Sequence, residues 1–168
     1  MKKYLSLTTY LLLITILISC RENVKKQILA TAIIGTEAEL AEQHIMISRL
    51  DKEYNFLASG DTMSSAFKTS LDQRNIQLAN TQFFNRFEQF LNDNDFKWGQ
   101  PVTCSIRIYC EKDGMIDYLS YDFKTSLANN KILKFNTLLT TFVATHKIEF
   151  TVKENYTISK EVQFNDIK

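Results

Sequence analysis

The stretch Val102-Thr103-Cys104-Ser105-Ile106-Arg107-Ile108-Tyr109-Cys110, followed by Glu111-Lys112-Asp113-Gly114 and Met115-Ile116-Asp117-Tyr118-Leu119-Ser120-Tyr121-Asp122-Phe123, decides the fold. In its first arm Val102, Cys104, Ile106, Ile108 and Cys110 fall on one side. Thr103, Ser105, Arg107, Tyr109 and Glu111 fall on the other. Successive strand side chains point to opposite faces, so this period of two reads as a β-strand with one apolar face. Asp113-Gly114 supplies the positive φ angles of a type I′ turn and predicts a hairpin. A two-residue loop pairs Lys112 with Met115, Cys110 with Asp117, Ile108 with Leu119, Ile106 with Tyr121 and Cys104 with Phe123. The opposite face then pairs Tyr109 with Tyr118 and Arg107 with Ser120, with Asp122 diagonal to Arg107. A slip of one residue would place Ser120 and Asp122 among the Cys and Ile side chains, so this register is favoured.

Beyond the hairpin, Asn129-Asn130 interrupts the pattern and the spacing predicts a helix from about Lys131 to His146. Its inward stripe is Ile132, Phe135, Leu139, Phe142 and Val143, with Leu138 beside it. Ile148, Phe150 and Val152 alternate, and after Lys153-Glu154-Asn155 the alternation resumes through Tyr156, Ile158, Val162 and Phe164. A hairpin with a three-residue loop and one long strand with an irregular middle both fit this parity. Before the hairpin, Pro101 stands at a strand start, where its missing N–H is tolerated. Residues Asn92 to Gln100 read as a turn around Trp98.

Three helical stretches precede that turn. Thr36 to about Ala58 opens on a capping-box spacing, Thr36 with Glu39, carries Leu40, Ile47, Leu50, Tyr54 and Leu57, and ends at Gly60-Asp61. Ser64 to Ala79 turns Phe67, Leu71 and Leu78 inward. Thr81 to Asn92 carries Phe83, Phe84, Phe87, Phe90 and Leu91, an aromatic stripe that belongs on a core face. The expected architecture is α+β, one domain over residues 36–168, with an antiparallel sheet (the hairpin plus a C-terminal strand or strands) covered by helices on one face.

Helix, strand, Asp-Gly turn, strand, helix, strand: over residues 81–166 this layout resembles the carboxy-terminal domain of TonB-like proteins. The matching pieces are Ser105-Ile106-Arg107-Ile108-Tyr109 running into Lys112-Asp113-Gly114, then Ile116-Asp117-Tyr118-Leu119, the Phe135 to Phe142 helix and Val162-Gln163-Phe164. The resemblance implies binding by strand addition at an exposed sheet edge. A TonB protein also has a retained membrane helix and a long proline-rich spacer. This chain has one proline, and its amino terminus reads differently, so energy transduction is not expected.

Lys2 and Lys3 precede a run from Leu5 to Ile18 that is apolar apart from Ser, Thr and one Tyr, and the run closes on Leu17-Ile18-Ser19-Cys20. A basic start, a short apolar region and a small residue before Cys form an export signal too short for a stable membrane span. The ending resembles the lipobox of bacterial lipoproteins. That resemblance implies a signal peptide over 1–19, a diacylglycerol on Cys20, usually an acyl chain such as palmitate on its new amine, and a tether over 20–35. Removing 19 of 168 residues leaves 149, enough for one core. Removing Lys2 and Lys3 from 20 basic groups leaves 18 against 19 acidic ones, a balance without the clustered cations that nucleic acid requires. The membrane contact is therefore expected through the N-terminal lipid. Arg21, rather than Asp, after Cys20 points by analogy to the outer membrane, and Glu22 alone makes no surface-export run, which favours the periplasmic face.

Little catalytic chemistry emerges. His44 lacks a second ligand at the i+4 position, and His146 sits where a cation favours the carbonyl end of a helix. No metal, cofactor or catalytic set is expected. On a straight strand Cys104 and Cys110 would lie roughly 20 Å apart at about 3.3 Å per residue, so both read as buried free thiols. Asp117 is the odd carboxylate, on the apolar side at a strand end, and reads as a rim residue. Tyr109, Tyr118 and Arg107, on the polar face, are the candidate binding residues, with cover by the amino-terminal helices as the competing reading. Asp61-Thr62-Met63 and Asn155-Tyr156-Thr157 fit short glycosylation patterns. The chain is thus expected to be a lipid-anchored, non-catalytic binding or assembly module for an envelope protein or glycan. An envelope hydrolase or thiol enzyme using Cys110 or a hairpin carboxylate, and a membrane-held immunity-type inhibitor, are the alternatives.

Overall fold

The computed structural model describes residues 31–56 and 70–166. Its elements run β1 (Ile33–Gly35), α1 (Glu37–Glu42), α2 (Ile47–Glu53), β2 (Asn55–Phe56), α3 (Ser70–Asp93), β3 (Val102–Cys110), β4 (Ile116–Phe123), α4 (Asn129–Val143) and β5 (Tyr156–Phe164). The class is α+β. The sheet has the order β1-β4-β3-β5-β2, antiparallel among its three long strands and parallel at both edges. Edge strands of three and two residues are too short to show a period of two, and Ile33–Gly35, read from sequence as tether, is part of the sheet. The Leu57, Gly60-Asp61, Phe67 and Asp61-Thr62-Met63 readings, like Cys20, lie outside the described residues.

The hairpin register from Cys104↔Phe123 to Tyr109↔Tyr118 is the expected one, but two opposite shifts produce it. Gly114 N donates to Glu111 O at 2.9 Å and Glu111 N to Met115 O at 2.8 Å, enclosing a three-residue loop, Lys112-Asp113-Gly114. Only Gly114 in the loop has positive φ, at 88°, whereas a type I′ turn needs two such residues. Asp113 instead receives Met115 N on its carboxylate at 3.1 Å. The longer loop pairs Cys110 with Ile116, and a bulge at Asp117 restores the register.

The segment after α4 is neither of the two expected forms. Residues 148–155 form no strand; they lie on the hairpin tip through Ile148 N to Gly114 O at 3.0 Å and Val152 N to Lys112 O at 2.8 Å. β5 is the one strand that residues 148–164 add to the sheet. Asn155 and Thr157 have structural uses there, Asn155 accepting from Lys112 N and Thr157 donating to Ile108 O.

On the first sheet face α3 and α4 bury the main core. Phe87, Phe135, Phe142 and Phe164 are fully enclosed, and Trp98 stacks on Phe164 with centroids 5.0 Å apart. The predicted pair of helices before the hairpin is one continuous α3. Leu78 points outward, 55% exposed, contrary to the inward position expected for it. The helices do not all sit on one face: α1 and α2 cover part of the second, where Leu40, Ile45, Ile47, Leu50, Tyr54 and Tyr109 form a separate cluster. Leu40, Ile47, Leu50 and Tyr54 of the expected stripe are buried here, on a helix broken in two.

The break is a helix-ending motif without glycine. Thr36 and Glu39 form the capping box, with Thr36 N to Glu39 Oε2 at 2.6 Å. At the other end of α1, Ile45 N reaches Leu40 O and His44 N reaches Ala41 O, both at 2.9 Å, with His44 at φ 62°. The same pattern ends α3, with Asp95 at φ 53° and Phe96 N on Leu91 O. Left-handed geometry costs a side-chain-bearing residue about 1–2 kcal/mol. His44→Gly is therefore expected to stabilise the domain by about 1 kcal/mol in urea unfolding, at unchanged fold.

Candidate binding face

Three tyrosines and three charged groups meet where α2 lies on the second face. Tyr54 follows the last turn of α2, and Tyr109 and Tyr118 are cross-strand partners on β3 and β4. Their rings pack edge to face, 5.3 Å between Tyr54 and Tyr109, 6.3 Å between Tyr54 and Tyr118, and 6.5 Å between Tyr109 and Tyr118. Asp51, one α-helical turn after Ile47, accepts from the Tyr109 hydroxyl at 2.8 Å and from Arg107 Nη1 at 3.1 Å. The Tyr54 hydroxyl donates to Asp117 Oδ2 at 2.6 Å. The bulge explains the odd carboxylate: an extra residue in β4 lets Asp117 and Tyr118 both serve this face, so Asp117 is a hydrogen-bonding anchor rather than a rim residue.

Burial pushes the Tyr109 hydroxyl up to about 12, and its bond to Asp51 adds to this. Burial and the Asp117 bond push Tyr54 up further. Both phenols stay protonated donors at neutral pH. Tyr109 is 0% exposed, so the covering reading holds for it, while Arg107 and Tyr118 remain half-buried. Asp122 is not the partner of Arg107; it pairs with Lys124 at 2.6 Å. Beyond the tyrosines the face is open and polar, with Ser120 and Ser159 flanking Arg107 and with Asp122 and Glu161 flanking Ser105.

Asp51, Tyr54 and their contacts were not singled out from sequence. Tyr54 was read as core, and Asp51 lies next to Leu50 at the border of the apolar stripe, a position that marks side chains able to reach a covered surface. Asp51→Ala should remove the acceptor of a buried hydroxyl and cost roughly 1–2 kcal/mol. Little of that comes from the half-exposed ion pair. Tyr109→Phe in the same background should then cost less than in the parent, which a double-mutant cycle in urea reads directly.

The groups considered for chemistry are otherwise engaged. Burial pushes the Cys104 thiol up to about 12 and raises Cys110, which is 0% exposed, so neither supplies a thiolate at neutral pH. Both are free, as expected. His146 lies with Nδ1 2.9 Å from Phe142 O and its ring stacked on Phe142 at 4.0 Å. A shallow cleft between α3 and the end of β5 includes Glu88, Trp98 and Asp166. Burial raises Glu88, whereas the backbone N–H groups of Trp98 and Gly99 hold Asp166 below the usual carboxylate range. Asp166 is committed to those two donors at 2.6 and 3.0 Å, so the cleft has a structural carboxylate rather than a free acid–base pair. Among the described residues no group of three or more His, Cys, Asp or Glu is placed to hold a metal ion, and no helix is long and apolar enough to cross a membrane.

No family model matches this chain, and neither a curated protein nor a solved structure matches it.

Proposed function

We propose that the chain is a lipid-anchored protein of the bacterial cell envelope, held through Cys20, that acts as a non-catalytic binding or assembly module for an envelope protein. The observation that carries the reading is the export signal closing on Leu17-Ile18-Ser19-Cys20. Two acyl chains anchor firmly where one does not, since each buried CH₂ contributes about 0.8 kcal/mol. The outer membrane, periplasmic face, is the proposed site.

An open sheet edge supports the binding part. β2 pairs only with Tyr156 and Thr157, so among the described residues no strand covers the outer edge of β5 from Ile158 to Phe164. Unpaired N–H and C=O groups in a row can accept an extended segment of a partner, as the resemblance to TonB-like domains also implies. The test is a photo-crosslinker placed at Ser159 or Gln163 in intact cells. One reproducible protein adduct, absent when the crosslinker sits on the remote exposed face of α3, is the expected result. No adduct from either position, with nothing copurifying, would contradict the binding role.

A further inference from the structure

The connection β1-α1-α2-β2 has an unusual path. Its two strands lie at opposite edges of the sheet, β1 beside β4 and β2 beside β5. Residues 33–56 therefore cross the second face over β4, β3 and β5, four inter-strand steps or roughly 19 Å at about 4.8 Å each. This strap has its own apolar cluster, separate from the main core. Two of its residues hook it down through three polar contacts, Asp51 to Arg107, Asp51 to Tyr109, and Tyr54 to Asp117. At its ends only three and two residues pair with the sheet.

We propose that the face bearing Tyr109, Tyr118 and Arg107 is a helix-docking groove, filled at rest by α2 of this chain, and that the strap is a displaceable cover over it. The occupant in place defines the chemistry of the competitor. α2 presents Ile47 and Leu50 on one stripe, with Tyr54 after its last turn and Asp51 beside Leu50. A partner must therefore offer a short helix with apolar residues at i and i+3 and a carboxylate at i+4, followed by an aromatic residue in extended backbone just past the helix end, the carboxylate meeting the Arg107 guanidinium and the Tyr109 hydroxyl. The bulge that aims Asp117 into the face adds an acceptor for a hydroxyl or amide from that helix, the place Tyr54 fills now. A groove already occupied from within the chain admits a partner only in the fraction of molecules whose strap has opened, so displacement regulates binding.

This goes beyond the envelope reading and rests on it only for the identity of the final partner; both experiments use the purified full domain and stand whether or not a cellular partner is found. In native-state hydrogen exchange at low denaturant, the amides of Leu50 and Tyr54 should exchange at least about tenfold faster than those of Ile108 and Leu119, through an opening that leaves β3 and β4 protected. In the second experiment a labelled peptide of residues 36–56 is added to the Leu50→Ala protein. It should bind that variant, bind the unaltered protein far more weakly, and lose binding when Leu50 and Tyr54 of the peptide itself, which fill the buried cluster, are replaced by alanine. Identical exchange of strap and sheet amides in one cooperative opening would overturn the proposal, and that measurement needs no variant to fold. A Leu50→Ala protein with an exchanging strap, an intact sheet and no peptide uptake would overturn it equally.

Discussion

Replacing Gly114 by alanine is expected to destabilise the domain by roughly 3 kcal/mol or more and to lower Tm by roughly 10 °C. Two costs combine. Gly114 holds φ 88°, where a side chain costs about 1–2 kcal/mol. A Cβ there would also stand 1.8 Å from the Ile148 carbonyl oxygen, a backbone atom with no side-chain flexibility to give way. The same carbonyl belongs to the segment that Gly114 O holds through Ile148 N, so relief of the clash pulls residues 148–152 off the hairpin tip. Asp113→Ala, which removes only the carboxylate that caps Met115 N, should cost about 1 kcal/mol and serves as the control. Thermal unfolding by circular dichroism separates the two.

Phe135→Ala is expected to cost about 3–5 kcal/mol, measured as a fall in the urea midpoint at unchanged slope. Phe135 lies on the inward stripe of α4, fully buried, with its ring within 6.3 Å of those of Phe87, Phe96, Trp98, Tyr121, Phe123 and Phe164. It therefore joins α3, α4, the Trp98 turn and two strands, β4 and β5, at one point. Rigid rings held by so many neighbours cannot collapse into the vacated space, which keeps the cost at the cavity-forming end of the range. Leu133→Ala, two residues earlier on the exposed side of the same helix, should change stability by less than about 0.5 kcal/mol.

Where a periodic signal was long, it carried the fold. Nine residues of alternation named β3 and its apolar face, and the Phe135, Leu139 and Phe142 spacing named the buried side of α4. The turn was misread because Asp-Gly suits two loop types, and only backbone angles distinguish a two-residue loop from a three-residue loop ending in left-handed glycine. The register survived because the bulge at Asp117 cancels the longer loop. Helix ends failed for a related reason: His44 and Asp95 occupy positions where glycine is the usual marker, so α1 and α2 read as one helix. Conversely, nothing at Asn80 breaks a helix, and α3 runs straight through it. For the binding face, Tyr109, Tyr118 and Arg107 could be placed together because strand pairing is local to the hairpin. Asp51 lies 56 residues from Arg107, and pairwise contacts at that distance follow from the sheet topology, which two edge strands of two and three residues do not announce.

Lipid attachment at Cys20 is the claim from which the proposed location follows. The direct measurement is intact-mass and amino-terminal analysis of the protein extracted from membranes. The account predicts a chain beginning at Cys20 whose mass exceeds that of the polypeptide by a diacylglyceryl group and an N-acyl chain, with both additions lost in Cys20→Ser. An unmodified chain beginning at Met1, or an amino terminus elsewhere with no lipid mass, would contradict it.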